Sequence, residues 1–295
     1  MSWILHRWVW KLRGPVSVGM APAGALSRCR LYVPARAVWG ACTAELAQKQ
    51  SSDFGKVGRD LREQARFGYL FPAEHDGGSW RAWLPRFERD QGLLWVREDD
   101  PDGRRSRSDR EFRLSLLEAR AGTAVAPETD SADDGSLRET ECIATRWRAN
   151  GTDTGGEVAL VGYVFLRDGV DLDDVTTLFL GGDARYGLGR VELVSRDGAN
   201  NMFGTPVRLE GDDPGVESRR VLGHAAASCG MLGALERVVG WDRYDAGLHA
   251  TGEPPLWVPG STRDNDKAAA TWWIVKSDGI WLDESRAPGT HGGSG

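Results

Sequence analysis

Residues 3–12, WILHRWVWKL, alternate apolar and polar positions and predict a β-strand with Trp8 and Trp10 on one face and Val9 on the other. Gly14 and Pro15 interrupt the pattern, and residues 16–19 are expected to continue the strand past a bulge. A small-residue loop follows over 19–30. From Pro34 the period changes: Pro34 suits the first turn of a helix whose apolar positions are Val38, Trp39, Cys42 and Leu46. A second helix is expected over 58–69, GRDLREQARFGY, then aromatic-rich loops to residue 90 and a short strand over 93–97.

The middle of the chain is less regular. Residues 97–112, REDDPDGRRSRSDREF, mix both charges with Pro101 and Gly103 and read as a mobile hairpin or loop. Residues 121–136 are small, polar and acidic, and read as a flexible connection. Strands are expected over 139–148 and 157–166, the run ALVGYVFL being apolar enough for burial on both faces. Asp171 then suits a helix N-cap, with Asp173 and Asp174 in the first turn, Leu172, Val175, Leu178 and Phe179 at helical spacing, and Gly181 and Gly182 as the stop. RVELVS at 190–195 alternates as a strand. Residues 219–241 are apolar at helical spacing, although Gly223, Gly230 and Gly233 each cost a helix roughly 1 kcal/mol. TWWIVKSDGIWLD, 271–283, is a hairpin with a Ser-Asp-Gly turn, and the last ten residues are a glycine-rich tail.

Composition narrows the classes. A chain of 295 residues can bury a full core, as one elaborated domain or two small ones. Its 13 tryptophans are assigned mainly to core and interfaces. A net charge of -6 argues against a free-standing nucleic-acid binder. The charge is uneven, however: the first fifty residues carry Arg7, Lys11, Arg13, Arg28, Arg30, Arg36 and Lys49 against Glu45 alone. That asymmetry fits a subunit touching nucleic acid on one face and protein on another. Four scattered cysteines with no CxxC pair speak against a disulfide framework or zinc ribbon and for a reducing cytoplasm. His6, Arg7 and Lys11 break the opening apolar run, so neither a transmembrane helix nor a signal peptide is expected there.

The candidate chemistry lies at 180–190, LGGDARYGLGR, where Gly181, Gly182, Gly187 and Gly189 alternate with Arg185, Tyr186 and Arg190. Glycine admits positive φ and close backbone approach, and arginine forks onto phosphate. Backbone amides of this stretch and the two guanidinium groups would hold sugar-phosphate without reading sequence. Tyr186 would stack on a base, at roughly 1–3 kcal/mol, or pack under the loop. Asp183 weakens anion binding unless it pairs with Arg185. A dinucleotide fold needs the order strand, glycine loop, helix, and this stretch has helix, loop, strand; no GxxxxGK[ST] is present. The five histidines are isolated, with no metal-ligand spacing.

A helix, an arginine-bearing glycine loop and a strand resemble the glycine-rich loop of the RAMP superfamily, the ferredoxin-like, RRM-type subunits of CRISPR effector complexes. GPVSVG followed by LYVPARAVWGACTAEL resembles that family's first strand, connecting loop and first helix, and TAVAPETDSADDGSLRETECI resembles its central segment. The resemblance implies an α/β (α+β) fold: a RAMP core over 1–210 with a hairpin or thumb inserted around 97–136, and a C-terminal helix and β-hairpin elaboration over 211–295. It implies RNA binding by the loop residues, by Arg36 in the first helix, and by Arg104, Arg105 and Arg107 in a thumb. The partners implied are CRISPR guide RNA, other subunits of a type III effector and target RNA through the complex, with no cofactor, metal or membrane. Family members that cut target RNA carry an aspartate between the first strand and first helix, where this chain has no acid; guide-processing members use a histidine near the first helix, and none occurs between His6 and His75. The expectation is therefore a non-catalytic binder. A RAMP-type endoribonuclease using His6 or His75, and a protein-only scaffold, are the alternatives; a 5′-cap, backbone or 3′-end position stays open.

Overall fold

Nine consecutive buried residues, 158–166, require a strand covered on both faces, and the fold is arranged around them. In a computed structural model the described residues are 2–100, 102–148, 155–226, 230–244, 247–252, 254–263 and 269–286. The principal elements, in order, are β1 (Trp3–Leu12), α1 (Ala35–Lys49), α2 (Phe54–Gln64), β2 (Ala65–Phe67), β3 (Phe71–Asp76), β4 (Ser79–Glu88) and β5 (Gly92–Arg97). They continue with α3 (Asp109–Leu116), β6 (Leu117–Gly122), β7 (Arg138–Ile143), β8 (Val158–Arg167), β9 (Thr177–Phe179) and β10 (Arg190–Ala199). The C-terminal part adds β11 (Thr205–Arg208), β12 (Gly215–Ser218), β13 (Thr271–Val275) and β14 (Trp281–Asp283).

A nine-stranded sheet runs β9-β10-β1-β8-β3-β4-β5, with Arg107–Ser108 at its far edge and β2 beside β8. β1 pairs antiparallel with both β8 and β10, and β8 antiparallel with β3. The inner order β10-β1-β8-β3, with α1 crossing from β1 towards β3, is that of a ferredoxin-like βαββαβ unit. The mixed α/β class and this topology agree with the sequence expectation. β1 is central, so both of its faces are covered and Trp8, Val9 and Trp10 are all buried.

Several expectations are corrected. Asp171 accepts from the Asp173 amide in a tight turn, and residues 177–179 pair with β10, so the helix predicted over 171–179 is absent; a three-residue spacing of buried Leu172, Val175 and Leu178 suits a turn plus a strand equally well. The second crossover of the ferredoxin-like unit is thus made without a helix. Residues 71–88 are two strands, not aromatic-rich loops. Val16 leaves β1's sheet and bridges Ile143 instead of extending the strand. The second helix begins at Phe54, capped by Asp53, and stops at Gln64 because β2 pairs with β8.

The stretch 97–112 is only partly loop. Ser108 and Glu111 form a reciprocal capping box that starts α3, whose Phe112 stacks on Trp95 at 4.4 Å. Ser108→Ala is expected to lower stability by about 1 kcal/mol in denaturant titration. β6 (117–122) and β7 (138–143) pair with each other and β7 with Leu26–Ser27, and the connection between them is a loop that carries a two-residue pairing of 125–126 with 131–132.

In the C-terminal part the helix expected over 219–241 is replaced by short strands. A Cβ at Gly223 would lie 2.7 Å from the Trp281 indole nitrogen, and one at Gly233 would lie 2.1 Å from Ser261 Oγ, so these glycines permit close strand-like contacts. An eight-stranded sheet begins at Asn201 and contains the expected 271–283 hairpin as β13 and β14. Its residues join the same hydrophobic core as β1 and β8.

Among described side chains no tryptophan is exposed, so the tryptophans serve the core. Cys29, Cys42 and Cys142 are free and buried, and burial raises all three thiols. Cys229, His291 and the glycine-rich tail lie outside the described residues. No helix among the described residues is long and apolar enough to cross a membrane.

Candidate nucleic-acid interface

The glycine loop joins β9 to β10 at the Leu12 end of β1. Leu180 and Leu188 are buried and anchor it, while residues 184–187 are exposed around a single 3₁₀ turn, Ala184–Tyr186. The loop is clamped onto the chain just after β1. The Gly182 amide donates to Ser17 O at 2.9 Å and the Gly189 amide to Pro15 O at 2.7 Å. Gly14 donates in return to Arg190 O at 3.1 Å, and Gly187 donates to Ala184 O. The glycines therefore shape and dock the loop, and several of the amides expected to hold phosphate are used inside the protein. The outward donors are side chains.

Those side chains form a stack that the sequence did not disclose. Tyr186 is 52 % exposed, with the Arg138 guanidinium 4.5 Å and the Arg185 guanidinium 5.2 Å from its ring centroid. Arg138 opens β7, and its recruitment depends on the small sheet packing beside the loop. No ion pair occupies Arg138 or Arg185 among the described residues. Arg190 differs: it pairs with Glu192 at 2.8 Å, and Arg13 grips the same carboxylate at 2.7 Å. Asp183 is in the left-handed region at φ 57°, its carbonyl accepting from Tyr186, and it forms no ion pair with Arg185.

The other predicted RNA contacts are not gathered here. Arg104 and Arg105 leave the sheet after β5 at the same end as the glycine loop. The strand order separates β5 from β10 by five steps, roughly 24 Å at ~4.8 Å per strand. Both are exposed and lie near acids, Arg104 beside Asp102 and Arg105 beside Asp76. Arg107 lies over the rings of Trp83 and Trp147, a packing role rather than a thumb tip. Arg36 is half-buried in the first turn of α1 and engaged within the fold.

The basic opening segment does not make a basic face. Arg7 pairs with Glu98, Lys11 with Glu157, Arg13 with Glu192 and Arg30 with Glu236, all acids from later in the chain.

A buried polar network links the two large sheets. Tyr69 Oη lies 2.6 Å from His224 Nδ1, and His224 Nε2 contacts Glu236. Glu236 also accepts from Tyr32 at 3.1 Å and Arg30 at 3.0 Å. Burial raises the Glu236 carboxyl, but the His224 contact, the Arg30 charge and the Tyr32 hydroxyl outweigh it and hold the group at about 2. Burial foremost raises both tyrosines. His224 is thus a satisfied core residue, as expected, although it lies on an extended segment.

His6, half-buried on β1 opposite Val164, is lowered first by burial and then by the Arg196 charge. His75, at the other end of the sheet, packs edge-on against Trp80. The fold does not bring the two together. Among the described residues no group of three or more His, Cys, Asp or Glu is placed to hold a metal ion.

No protein-family profile and no curated protein sequence matches this chain. Its shape does match solved structures. A chain of the type III-B Cmr-beta complex bound to cognate target RNA and AMPPnP superposes with a TM-score of 0.54 at 12 % identity, covering 87 % of this chain and 84 % of that one. A chain of Cmr-beta bound to cognate target RNA gives 0.53 at 12 % identity, covering 86 % and 85 %. The shared fold extends over nearly the whole length of both chains.

Proposed function

We propose that this chain, which has the RAMP-type fold found in a type III-B effector, is a guide-RNA-binding subunit of a type III-like CRISPR ribonucleoprotein. The observation that carries this reading is the outward Arg138–Tyr186–Arg185 stack on a loop docked to the backbone of residues 13–17. Both guanidinium groups lie within 5.2 Å of the ring centroid and neither is taken up by an ion pair among the described residues, so their N–H groups stay available to fork onto phosphate. The role is positional: the loop holds sugar-phosphate, and neighbouring subunits complete the binding channel. Arg190 contributes less than Arg185, because Glu192 already occupies it. Arg104 and Arg105, at the same end of the sheet, reach a more distant part of a long strand.

The test is a titration of the full chain with fluorescent single-stranded, repeat-derived RNA at several salt concentrations. Arg138→Glu combined with Arg185→Glu is expected to weaken binding more than tenfold and to reduce the salt slope by about two. Unchanged affinity would remove the loop from the site. The RNA is expected to stay intact; cleavage abolished by His6→Ala or His75→Ala would instead establish the endoribonuclease reading.

A further inference from the structure

A cavity of about 580 Å³ opens between β4, β5 and the C-terminal sheet, well away from the glycine loop. Six arginines line it: Arg86, Arg89, Arg97, Arg219, Arg220 and Arg263. Only three acids do so, Glu88, Asp90 and Glu98, in a chain whose overall charge is negative. The alternation of β4 explains part of this. Trp83 packs towards α3, against Phe112, so Leu84, Arg86 and Glu88 face the other way, into the cavity.

Most of the charges are already matched. Arg97 is held by Glu74, Asp76 and Asp99 at 2.7–2.8 Å, Arg263 by Asp283, and Arg86 by Glu88 at 2.7 Å. Glu98 accepts from Arg7 and from the Ala82 amide. Arg220 is the exception: it is half-buried and forms no ion pair among the described residues, Glu88 acting on it only at longer range. Burial and then the nearby Arg86 charge push its guanidinium down to about 10, the Glu88 charge offsetting part of this, so it remains charged at neutral pH.

Its backbone is rigidly placed. The Arg220 amide donates to Ser218 Oγ at 3.1 Å, Ser218 Oγ donates to Arg220 O at 2.6 Å, and residues 219–221 are bonded to 261–263 on the neighbouring segment. A guanidinium carried on a held backbone, with no ion pair of its own, in a polar cavity suits an anion with several acceptor oxygens.

We propose that this cavity is a phosphate-binding site, with Arg220 as its fork, that takes a phosphate group of an RNA strand. The phosphate chemistry stands on the cavity alone, and the RNA source rests on the function proposed above. It supplies a second grip on the strand, on the β4–β5 side of the sheet, whereas the glycine loop lies on the β9–β10 side.

The full chain, wild type and Arg220→Gln, is titrated with inorganic phosphate and separately with single-stranded RNA carrying a 5′-phosphate or a 5′-hydroxyl. Arg220→Lys, which keeps the charge, is run beside them, and unfolding midpoints check that each variant is folded. Arg220→Gln is expected to weaken RNA binding roughly ten- to a hundredfold and to lower the salt slope by about one, with partial recovery in Arg220→Lys. A loss confined to 5′-phosphorylated RNA assigns the site to a strand end; an equal loss on both RNAs assigns it to an internal phosphodiester. If Arg220→Gln loses inorganic phosphate but binds RNA like wild type, the phosphate site holds and its RNA source is overturned. If wild type binds phosphate through Arg220 but no RNA, the site holds and the function proposed above fails. If folded Arg220→Gln binds both ligands unchanged, the site is overturned, whatever the glycine-loop variants show.

Discussion

Glu236→Ala is expected to lower the unfolding free energy by about 3–5 kcal/mol, the cost of breaking a buried charged network by removing one partner. The carboxylate accepts from Arg30 and Tyr32 and contacts His224, and all three would be left facing an apolar gap. The loss also unfastens the sheets, because Arg30, Tyr32 and Tyr69 come from the N-terminal part and His224 and Glu236 from the C-terminal part. Urea titration at pH 7 measures it, and a loss below about 1 kcal/mol would show that the network is dispensable.

The same residue makes stability depend on pH. Its folded-state value, about 2, lies below the ordinary glutamate value of about 4.3. A depressed carboxylate contributes stability that is complete above pH ~4.3 and is lost as pH falls through the folded value. About 3 kcal/mol of acid-sensitive stability between pH ~4.3 and ~2 is expected in the wild type and absent in Glu236→Gln.

Gly181→Ala is expected to undock the glycine loop. Gly181 has φ +80°, and a Cβ there would sit 2.1 Å from Ser17 O, the acceptor of the Gly182 amide. The left-handed conformation alone costs an alanine roughly 1–2 kcal/mol, and the backbone clash forces that hydrogen bond apart, for about 2–3 kcal/mol in all. The chain should still fold, since the core is untouched, but RNA affinity should fall with that of the arginine variants. Thermal melting with RNA titration separates the two effects. Retained stability and retained binding together would mean that the docking of the loop is irrelevant to the site.

The elements legible in the chain were those whose pattern is local. Residues 3–12 and 157–166 are apolar enough to specify strands, Pro34 and the apolar positions behind it specify α1, and Ser-Asp-Gly specifies the last hairpin turn. The capping box at Ser108 and Glu111 was equally local, and the surrounding charges obscured it. Residues 171–179 and 219–241 misled because apolar residues three apart suit a helix or a turn followed by a strand, and only the edge of β10 and the face of Trp281 select between them.

The candidate sites divide the same way. By its own glycines and arginines, the sequence determined that residues 180–190 form a loop with guanidinium groups, because conformational freedom and charge belong to the residues themselves. Only the tertiary structure decided that its amides are spent on Pro15, Ser17 and the loop itself, that Arg138 joins Tyr186, and that the basic opening segment is neutralised by distant acids. It also decided that Tyr69 meets a histidine 155 positions away and that Arg220 stands in its cavity without an ion pair among the described residues. Such pairings are set by strand order and packing, and no window of sequence contains both partners.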